Sequence, residues 1–130
     1  MTTRTYTCMC GDFEGQVTGE PPLSCWCHCK TCRQQTGAPM QLGVWTPDNF
    51  KAIKGDDKLI KYNSAPTIYR NSCGKCGSFA YKVLPDGNLA IPLGALEPPV
   101  KPACNIMCAK EHAGEHPIMA PELPKHDAFP

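Results

Sequence analysis

Seven of the ten cysteines in this 130-residue chain fall into three closely spaced groups, and these groups constrain the fold more than any other feature. Thiolates at such short spacings are typical of zinc sites, in which separate chain segments bind one tetrahedral ion. Four cysteines complete one tetrahedron, and three leave one position of a second tetrahedron open. The groups are Cys8 and Cys10, then Cys27, Cys29 and Cys32, then Cys73 and Cys76.

An even number of cysteines also raises the possibility of disulfide bridges. The first seven residues lack the apolar run of a secretory signal, so the sequence favours a cytoplasmic location, where thiols stay reduced. Cysteines two residues apart on a strand face the same side, which suits two ligands of one metal better than two separate bridges. We therefore expect metal binding rather than disulfides.

The length of the chain fits a single domain over residues 1–130, in which the proline-rich part from about 97 to 130 packs on the body as a C-terminal extension. No stretch approaches the roughly 20 apolar residues of a membrane span. The 13 basic and 12 acidic residues nearly balance, so the chain lacks the excess of positive charge that favours nucleic-acid binding. We expect neither membrane nor nucleic-acid binding, and the oligomeric state is left open.

Short β-forming segments alternate with turn residues along the chain, which predicts an all-β fold of small antiparallel sheets. Fourteen prolines and eleven glycines leave room for only one or two short helical turns, expected over 30–36 and 46–50. The predicted strands are 5–8, 15–18, 23–27, 41–45, 51–54, 59–63, 67–71, 79–84, 89–92 and a last one over 104–109.

The first and third cysteine groups suit one structural zinc site. A glycine follows the last cysteine of each group, and it allows the tight turn that presents two thiolates to one ion. A site made of Cys8, Cys10, Cys73 and Cys76 would join the N-terminal strand to the middle of the chain, so metal-binding energy would stabilise a small core.

The middle group suits a zinc ion with one open position, because all three of its cysteines come from a single segment. Cys27, Cys29 and Cys32 would bind the ion, and water or a substrate thiolate would take the fourth position. The alternative is that Cys25 closes the tetrahedron. Cys25 and Cys29 lie about 13 Å apart on an extended strand at roughly 3.3 Å per residue, which disfavours that alternative.

These motifs resemble the glutathione-dependent formaldehyde-activating enzyme (GFA) family, which also includes centromere protein V. The likeness rests on the Cys-x-Cys-Gly start, the Cys-His-Cys-x-x-Cys-Arg segment with Thr36-Gly37-Ala38-Pro39 after it, the turn at 46–50, and Arg70 before Cys-x-x-Cys-Gly-Ser. It covers about residues 5–96. It implies a β-tent fold with two zinc ions per chain, one structural and one catalytic, bound by the four-cysteine and three-cysteine sets named above.

The resemblance also implies a function. Members are carbon–sulfur lyases, and the named reaction joins formaldehyde to the thiol of glutathione to form S-hydroxymethylglutathione. We therefore expect a zinc-dependent lyase that acts on a small-molecule thiol or thiol adduct, with Cys27, Cys29 and Cys32 at the catalytic centre and glutathione as a possible co-substrate. Three thiolates make the ion a weak Lewis acid, which favours thiol exchange. The alternative is a non-catalytic, zinc-stabilised binding module.

The roles of several other residues stay open. His28 is expected to pack or to form hydrogen bonds, and Cys104 and Cys108 to be buried free thiols rather than a redox pair or a third metal site. His112 and His116 lie in a stretch that differs from the family and could supply a general base. The cations nearest the cysteines, as candidate anchors for an anionic thiol, are Lys30, Arg33, Arg70 and Lys75.

Overall fold

The computed structural model describes residues 1–130 as two β-sheets with two short α-helices. A small sheet has three strands, and a large one has seven. No helix is long and apolar enough to cross a membrane. The elements are β1 (Thr3–Thr7), β2 (Glu14–Thr18), β3 (Leu23–Cys27), α1 (Lys30–Thr36), β4 (Met40–Trp45), β5 (Phe50–Lys54), β6 (Leu59–Ala65), β7 (Ile68–Cys73), β8 (Phe79–Val83), β9 (Leu89–Pro92), β10 (Cys104–Ile106) and α2 (Lys110–Ala113).

Most neighbouring strands are antiparallel. The small sheet has the order β1-β2-β5, and the large one has the order β10-β3-β4-β9-β8-β7-β6. The hairpin between β8 and β9 turns at Gly87, whose φ of 86° lies in the left-handed region that glycine tolerates. Asp86 accepts a hydrogen bond from the backbone N–H of Asn88 and fixes that turn.

The strand at one end of the large sheet comes from the C-terminal part of the chain. β10 runs parallel to β3, with Cys104 opposite Cys25 and Ile106 opposite Cys27. The segment after it folds back beside β10, because the backbone N–H of Asn105 donates to Pro124 and that of Met107 to Ala128. Residues beyond 100 thus cover the C-terminal end of β3, which leads into Cys29 and Cys32.

The large sheet carries apolar residues on both faces. One face packs against the small sheet in a core that includes Phe13, Val17, Trp45 and Ile91. The indole N–H of Trp45 donates to the carbonyl of Gly19 and so is satisfied although buried. The other face holds a second core with the cysteines of β3, and Met40, Leu42 and Ile106 surround them.

The all-β prediction is confirmed, and most strand bounds agree within two residues. The seven-stranded sheet is larger than the small antiparallel sheets expected, and β10 joins it as a parallel strand from a distance in the sequence. The predicted strand over 104–109 stops at Ile106, and α2 follows at Lys110. Met107 has a φ of 56°, a left-handed conformation that a strand cannot continue through.

Candidate metal centres and the adjoining cavity

The structure brings the first and third cysteine groups together into one cluster, which we call the four-cysteine cluster. The sulfur atoms all lie within 4.8 Å of one another. Cys10 Sγ lies 3.6 Å from Cys8 Sγ and 3.7 Å from Cys73 Sγ. The cluster therefore links the end of β1 to the end of β7. Its members are Cys8, Cys10, Cys73 and Cys76.

Two tight turns shape the four-cysteine cluster. Gly11 and Gly77 have φ values of 82° and 79°, and their backbone N–H groups donate to the carbonyls of Cys8 and Cys73. A further backbone N–H, that of Phe13, points at Cys8 Sγ from 3.3 Å. The hydroxyl of Ser78 lowers the pKa of Cys76 to about 5, so this sulfur favours the thiolate form that binds metals.

The middle group forms a second, three-cysteine cluster of Cys27, Cys29 and Cys32, again with all sulfurs within 4.8 Å of one another. Cys27 ends β3, Cys29 is the N-cap of α1, and Cys32 lies in its first turn. The Cys27 thiol donates to Cys29 Sγ over 3.5 Å, and the backbone N–H of Cys32 donates to the same sulfur over 3.4 Å. The turn from strand to helix thus gathers three sulfurs from six residues.

Negative charge in the three-cysteine cluster is favoured on Cys29, whereas the pKa values of Cys27 and Cys32 are raised. Hydrogen bonds from the thiols of Cys27 and Cys32 hold the pKa of Cys29 well below its usual range. The guanidinium of Arg70 lies 3.7 Å from Cys32 Sγ and also donates to Gln35 Oε1 over 2.8 Å. A buried cation therefore stands directly against one sulfur of the cluster, and the α1 helix holds it there.

Cys25 lies outside the three-cysteine cluster, because its sulfur is not within 4.8 Å of all three members. It is 1% exposed, and it pairs in register with Cys104 of β10. Burial, followed by the nearby Cys104 thiol, raises the pKa of Cys25 to about 12. In this structure Cys25 and Cys104 are neutral thiols of the second core, and Cys104 donates to the carbonyl of Ser24.

A cavity of roughly 370 Å³ adjoins the three-cysteine cluster. Cys27 and Cys29 form part of its wall, so a small molecule in the cavity can contact two of the three sulfurs. The remaining wall is mostly apolar, with Leu42, Val44 and Ile106 among its residues. Such a mostly apolar pocket with a few convergent polar groups is the usual form of a small-molecule site.

Lys82 is the polar residue of this cavity that the sequence reasoning missed. It lies on β8, lines the cavity, and is only 7% exposed. In the sequence it appears in a short apolar strand, Phe-Ala-Tyr-Lys-Val, where strand alternation predicts that a lysine faces solvent. The available signal was that Ala80 and Leu84, which share the strand face of Lys82 by alternation, are apolar, as expected for a strand with two covered faces.

Some of the other candidate residues line the cavity and some do not. His112 lines the cavity, whereas exposed His116 lies elsewhere, against α1. Among the candidate anchors, Arg70 and the exposed Lys30 reach the cavity. Arg33 instead donates to the carbonyls of His28 and His112, and Lys75 is exposed at the turn of the four-cysteine cluster.

His28 is fully buried, and each of its two ring nitrogens takes part in a hydrogen bond. Nε2 accepts from the backbone N–H of Met119 over 3.0 Å, so Nδ1 carries the proton and donates to the carbonyl of Ile106 over 3.2 Å. The side chain therefore ties the C-terminal segment to the strand that bears Cys27. Cys108 lies beside it, with its sulfur 4.0 Å from Nδ1, and does not line the cavity.

Comparisons with known proteins agree with this geometry. The model of a family described as glutathione-dependent formaldehyde-activating enzyme (GFA) matches residues 3–110. The crystal structure of a Rhodobacter sphaeroides protein is similar in fold, with a TM-score of 0.64 and 20% sequence identity over 75% of this chain and 91% of that one. A comparison with curated proteins gave no match.

Proposed function

This chain belongs to the glutathione-dependent formaldehyde-activating enzyme family, and we propose that it is a zinc-dependent carbon–sulfur lyase that acts on a small thiol adduct. The observation that carries the proposal is the cavity, which reaches two sulfurs of the three-cysteine cluster. A purely structural metal site has its ligands closed around the ion and needs no such access.

The donor atoms of both clusters fit zinc. A tetrahedral ion with zinc–sulfur bonds of about 2.3 Å places its sulfur ligands about 3.8 Å apart. The measured separations of 3.5, 3.6 and 3.7 Å are close to that value. All-sulfur sites favour zinc over the oxygen-binding magnesium and calcium. The four-cysteine cluster would hold a structural ion and the three-cysteine cluster a catalytic one.

When bound to the three-cysteine cluster, zinc would supply acidity for a substrate thiol and polarisation for a carbonyl oxygen. The chain itself contributes the rest of the site. Arg70 holds Cys32 in place and keeps positive charge beside its sulfur. The apolar walls at Leu42 and Val44 exclude water, which strengthens the electrostatic interactions inside.

The reaction that we propose forms one carbon–sulfur bond and moves one proton from the substrate thiol to the carbonyl oxygen. The thiolate sulfur of the substrate bonds to the carbonyl carbon of an aldehyde, the electron pair of the carbonyl double bond moves to oxygen, and that oxygen takes a proton. The reverse direction breaks the same bond. His112, which lines the cavity, would take up the proton of the thiol and return it to the oxygen. Glutathione and formaldehyde are the pair that the family name indicates.

Two-dimensional exchange NMR with ¹³C-formaldehyde and glutathione tests this proposal, because it measures formation and cleavage of the adduct at equilibrium despite the spontaneous reaction. We expect the zinc-loaded protein to accelerate the exchange and Cys29→Ser to abolish that acceleration. Cys108→Ser is the matched control, since Cys108 lies outside the cavity and should leave exchange unchanged.

The rival function is a binding module that uses zinc only for its fold. It predicts exchange at the spontaneous rate in a protein that contains two zinc ions per chain. Sulfur coordination read from zinc-edge X-ray absorption gives an independent answer. The enzyme should show an average of between three and four sulfur ligands per ion, whereas four at both ions, with Cys25 required, would refute the catalytic proposal.

A further inference from the structure

The ammonium group of Lys82 lies in the cavity without a partner. The residue is 7% exposed, yet its side chain makes no hydrogen bond and no salt bridge. The ammonium nitrogen keeps access to the cavity, because it is not among the buried side-chain atoms that lack a partner. Charges in largely buried positions of proteins are normally paired, since an unpaired one there is unfavourable. Lys82 faces the cavity with all its donors free, and it is therefore a candidate binding group for an anion.

A second cation stands directly beside it. Arg70 lies opposite Lys82 in the register of β7 and β8, so both side chains project from the same face of the sheet. Like charges at opposed positions destabilise a sheet. Arg70 is also only 7% exposed, and its Nε has no hydrogen-bond partner. The pair places two buried positive charges in one wall.

The other charged groups around the cavity do not neutralise this pair. Glu111 is on the rim with its side chain 78% exposed, and it lies 3.7 Å from His112. Cys25 is a neutral thiol, and Cys32 already contacts Arg70. Three thiolates with one zinc ion carry a single net negative charge, which offsets one of the two cations. One positive charge of the Arg70 and Lys82 pair therefore remains in the buried wall, besides that of the exposed Lys30.

The wall next to Lys82 is apolar. Ala90 is its register partner on β9, and Val44 is opposite Ala90 on β4. Leu84 and Ile106 complete the apolar surface of the cavity. A ligand that fills this space therefore needs one compact anionic group at Lys82 and an apolar body across the strands. A ligand with several charges would leave some of them buried without partners.

We propose that Lys82, supported by Arg70, forms an anion subsite that binds the carboxylate of a small and largely apolar molecule. This inference rests on the proposed function, and it departs from the pair that the family name indicates: a thiol adduct with one carboxylate on a short apolar chain should be preferred over glutathione, which carries two carboxylates and an ammonium group. The subsite holds the ligand by its carboxylate on β8 while its other end faces the sulfurs of Cys27 and Cys29.

An NMR titration of the ¹⁵N-labelled, zinc-loaded protein with butyrate tests the subsite without any turnover. We expect saturable shifts at the amides of Lys82 and Ala90 in the millimolar range. Butyramide, which has the same shape without the charge, should bind at least tenfold more weakly. Lys82→Met should weaken butyrate binding at least tenfold. Lys51→Met removes an exposed lysine of the small sheet and should bind butyrate like the unmodified protein.

Three results would overturn the subsite. These are equal binding of butyrate and butyramide, unchanged butyrate binding by Lys82→Met, and no saturable shift with butyrate. Lys82→Gln serves as a second variant that keeps a polar group but no charge, and it should lose binding in the same way. Failure of both variants to fold, judged by amide dispersion and zinc content, would show a structural role for the ammonium and would also overturn the proposal.

The exchange assay distinguishes failure of the subsite from failure of the proposed function. Butyrate binding without any acceleration of adduct exchange would refute the lyase and leave the subsite intact. Acceleration that is equal for 3-mercaptopropionate and for propanethiol, and that Lys82→Met does not change, would refute the subsite and leave the lyase intact. The subsite predicts that 3-mercaptopropionate is the better substrate of the two and that this preference disappears in Lys82→Met.

Discussion

Replacement of Lys82 by methionine should stabilise the protein although it removes ligand binding. The lysine places an unpaired charge beside Arg70 in a largely buried wall, whereas methionine fills a similar volume with an apolar side chain. Replacement of a buried ion pair by apolar residues of similar size is neutral or stabilises by about 1–4 kcal/mol, and removal of an unpaired ammonium leaves no partner without its counter-charge. The negative charge of the three-cysteine cluster offsets part of the repulsion, so we expect about 1–2 kcal/mol.

That free energy corresponds to a measurable shift in melting temperature. The unfolding entropy of about 2.1 cal/mol/K per residue makes 1 kcal/mol equal to about 4 °C for a chain of this length. We therefore expect a rise of about 4–8 °C for Lys82→Met. Thermal unfolding followed by circular dichroism at a fixed free zinc concentration measures it, because bound metal itself stabilises the folded state. Lys51→Met is the control, and its melting temperature should equal that of the unmodified protein.

The melting temperature in the presence of butyrate gives a second result from the same experiment. A ligand that binds only the folded state raises the melting temperature, so butyrate should stabilise the unmodified protein and not Lys82→Met. A melting temperature for Lys82→Met clearly below that of the Lys51→Met control would refute the reasoning. It would mean that the ammonium has a stabilising partner in the folded protein and is not free to bind an anion.

The remaining predictions concern the two clusters and the cavity rim. Cys32→Ser should keep the fold, lose one of two zinc ions and stop adduct exchange, whereas Cys76→Ser should reduce the soluble yield before activity can be assayed; metal analysis of both variants checks this. Cys25→Ser should retain both zinc ions, and in the unmodified protein this 1% exposed thiol should resist iodoacetamide until the protein unfolds. His112→Ala should slow adduct exchange about 10²-fold or more with zinc content unchanged, and loss of zinc from this variant would contradict its role as a proton carrier.

Local signals in the sequence were sufficient for most of the fold. The strand from Leu23 to Cys27 and the helix from Lys30 to Thr36 have the predicted bounds, because β-forming residues and Gly37 mark their ends. Gly37 has a φ of 80° and closes the helix in the left-handed conformation that stops it. The spacing of the cysteines predicted both clusters: short turns gather Cys27, Cys29 and Cys32, whereas the two distant pairs of the four-cysteine cluster were joined by the four ligands that one tetrahedral ion needs.

What the sequence could not show depends on contacts between distant residues. β10 pairs with β3 across more than seventy residues, and no local pattern near Cys104 indicates a parallel partner. The burial of Lys82 follows from that pairing, because the segment after β10 covers the same face of the sheet. The short helix at Lys110 was missed because four residues carry too little helical periodicity to be recognised.

The return of the chain beside β10 gives the cavity one wall inside the stretch that the family model matches and another beyond it. The cysteines, Arg70 and Lys82 lie inside the stretch that the family model matches, whereas His112 and Phe129 lie beyond residue 110 and still line the cavity. Substrate preference can therefore diverge through the last twenty residues while the cysteine spacing stays fixed. An exchange of this segment between relatives offers an engineering route to new selectivity on an unchanged metal scaffold.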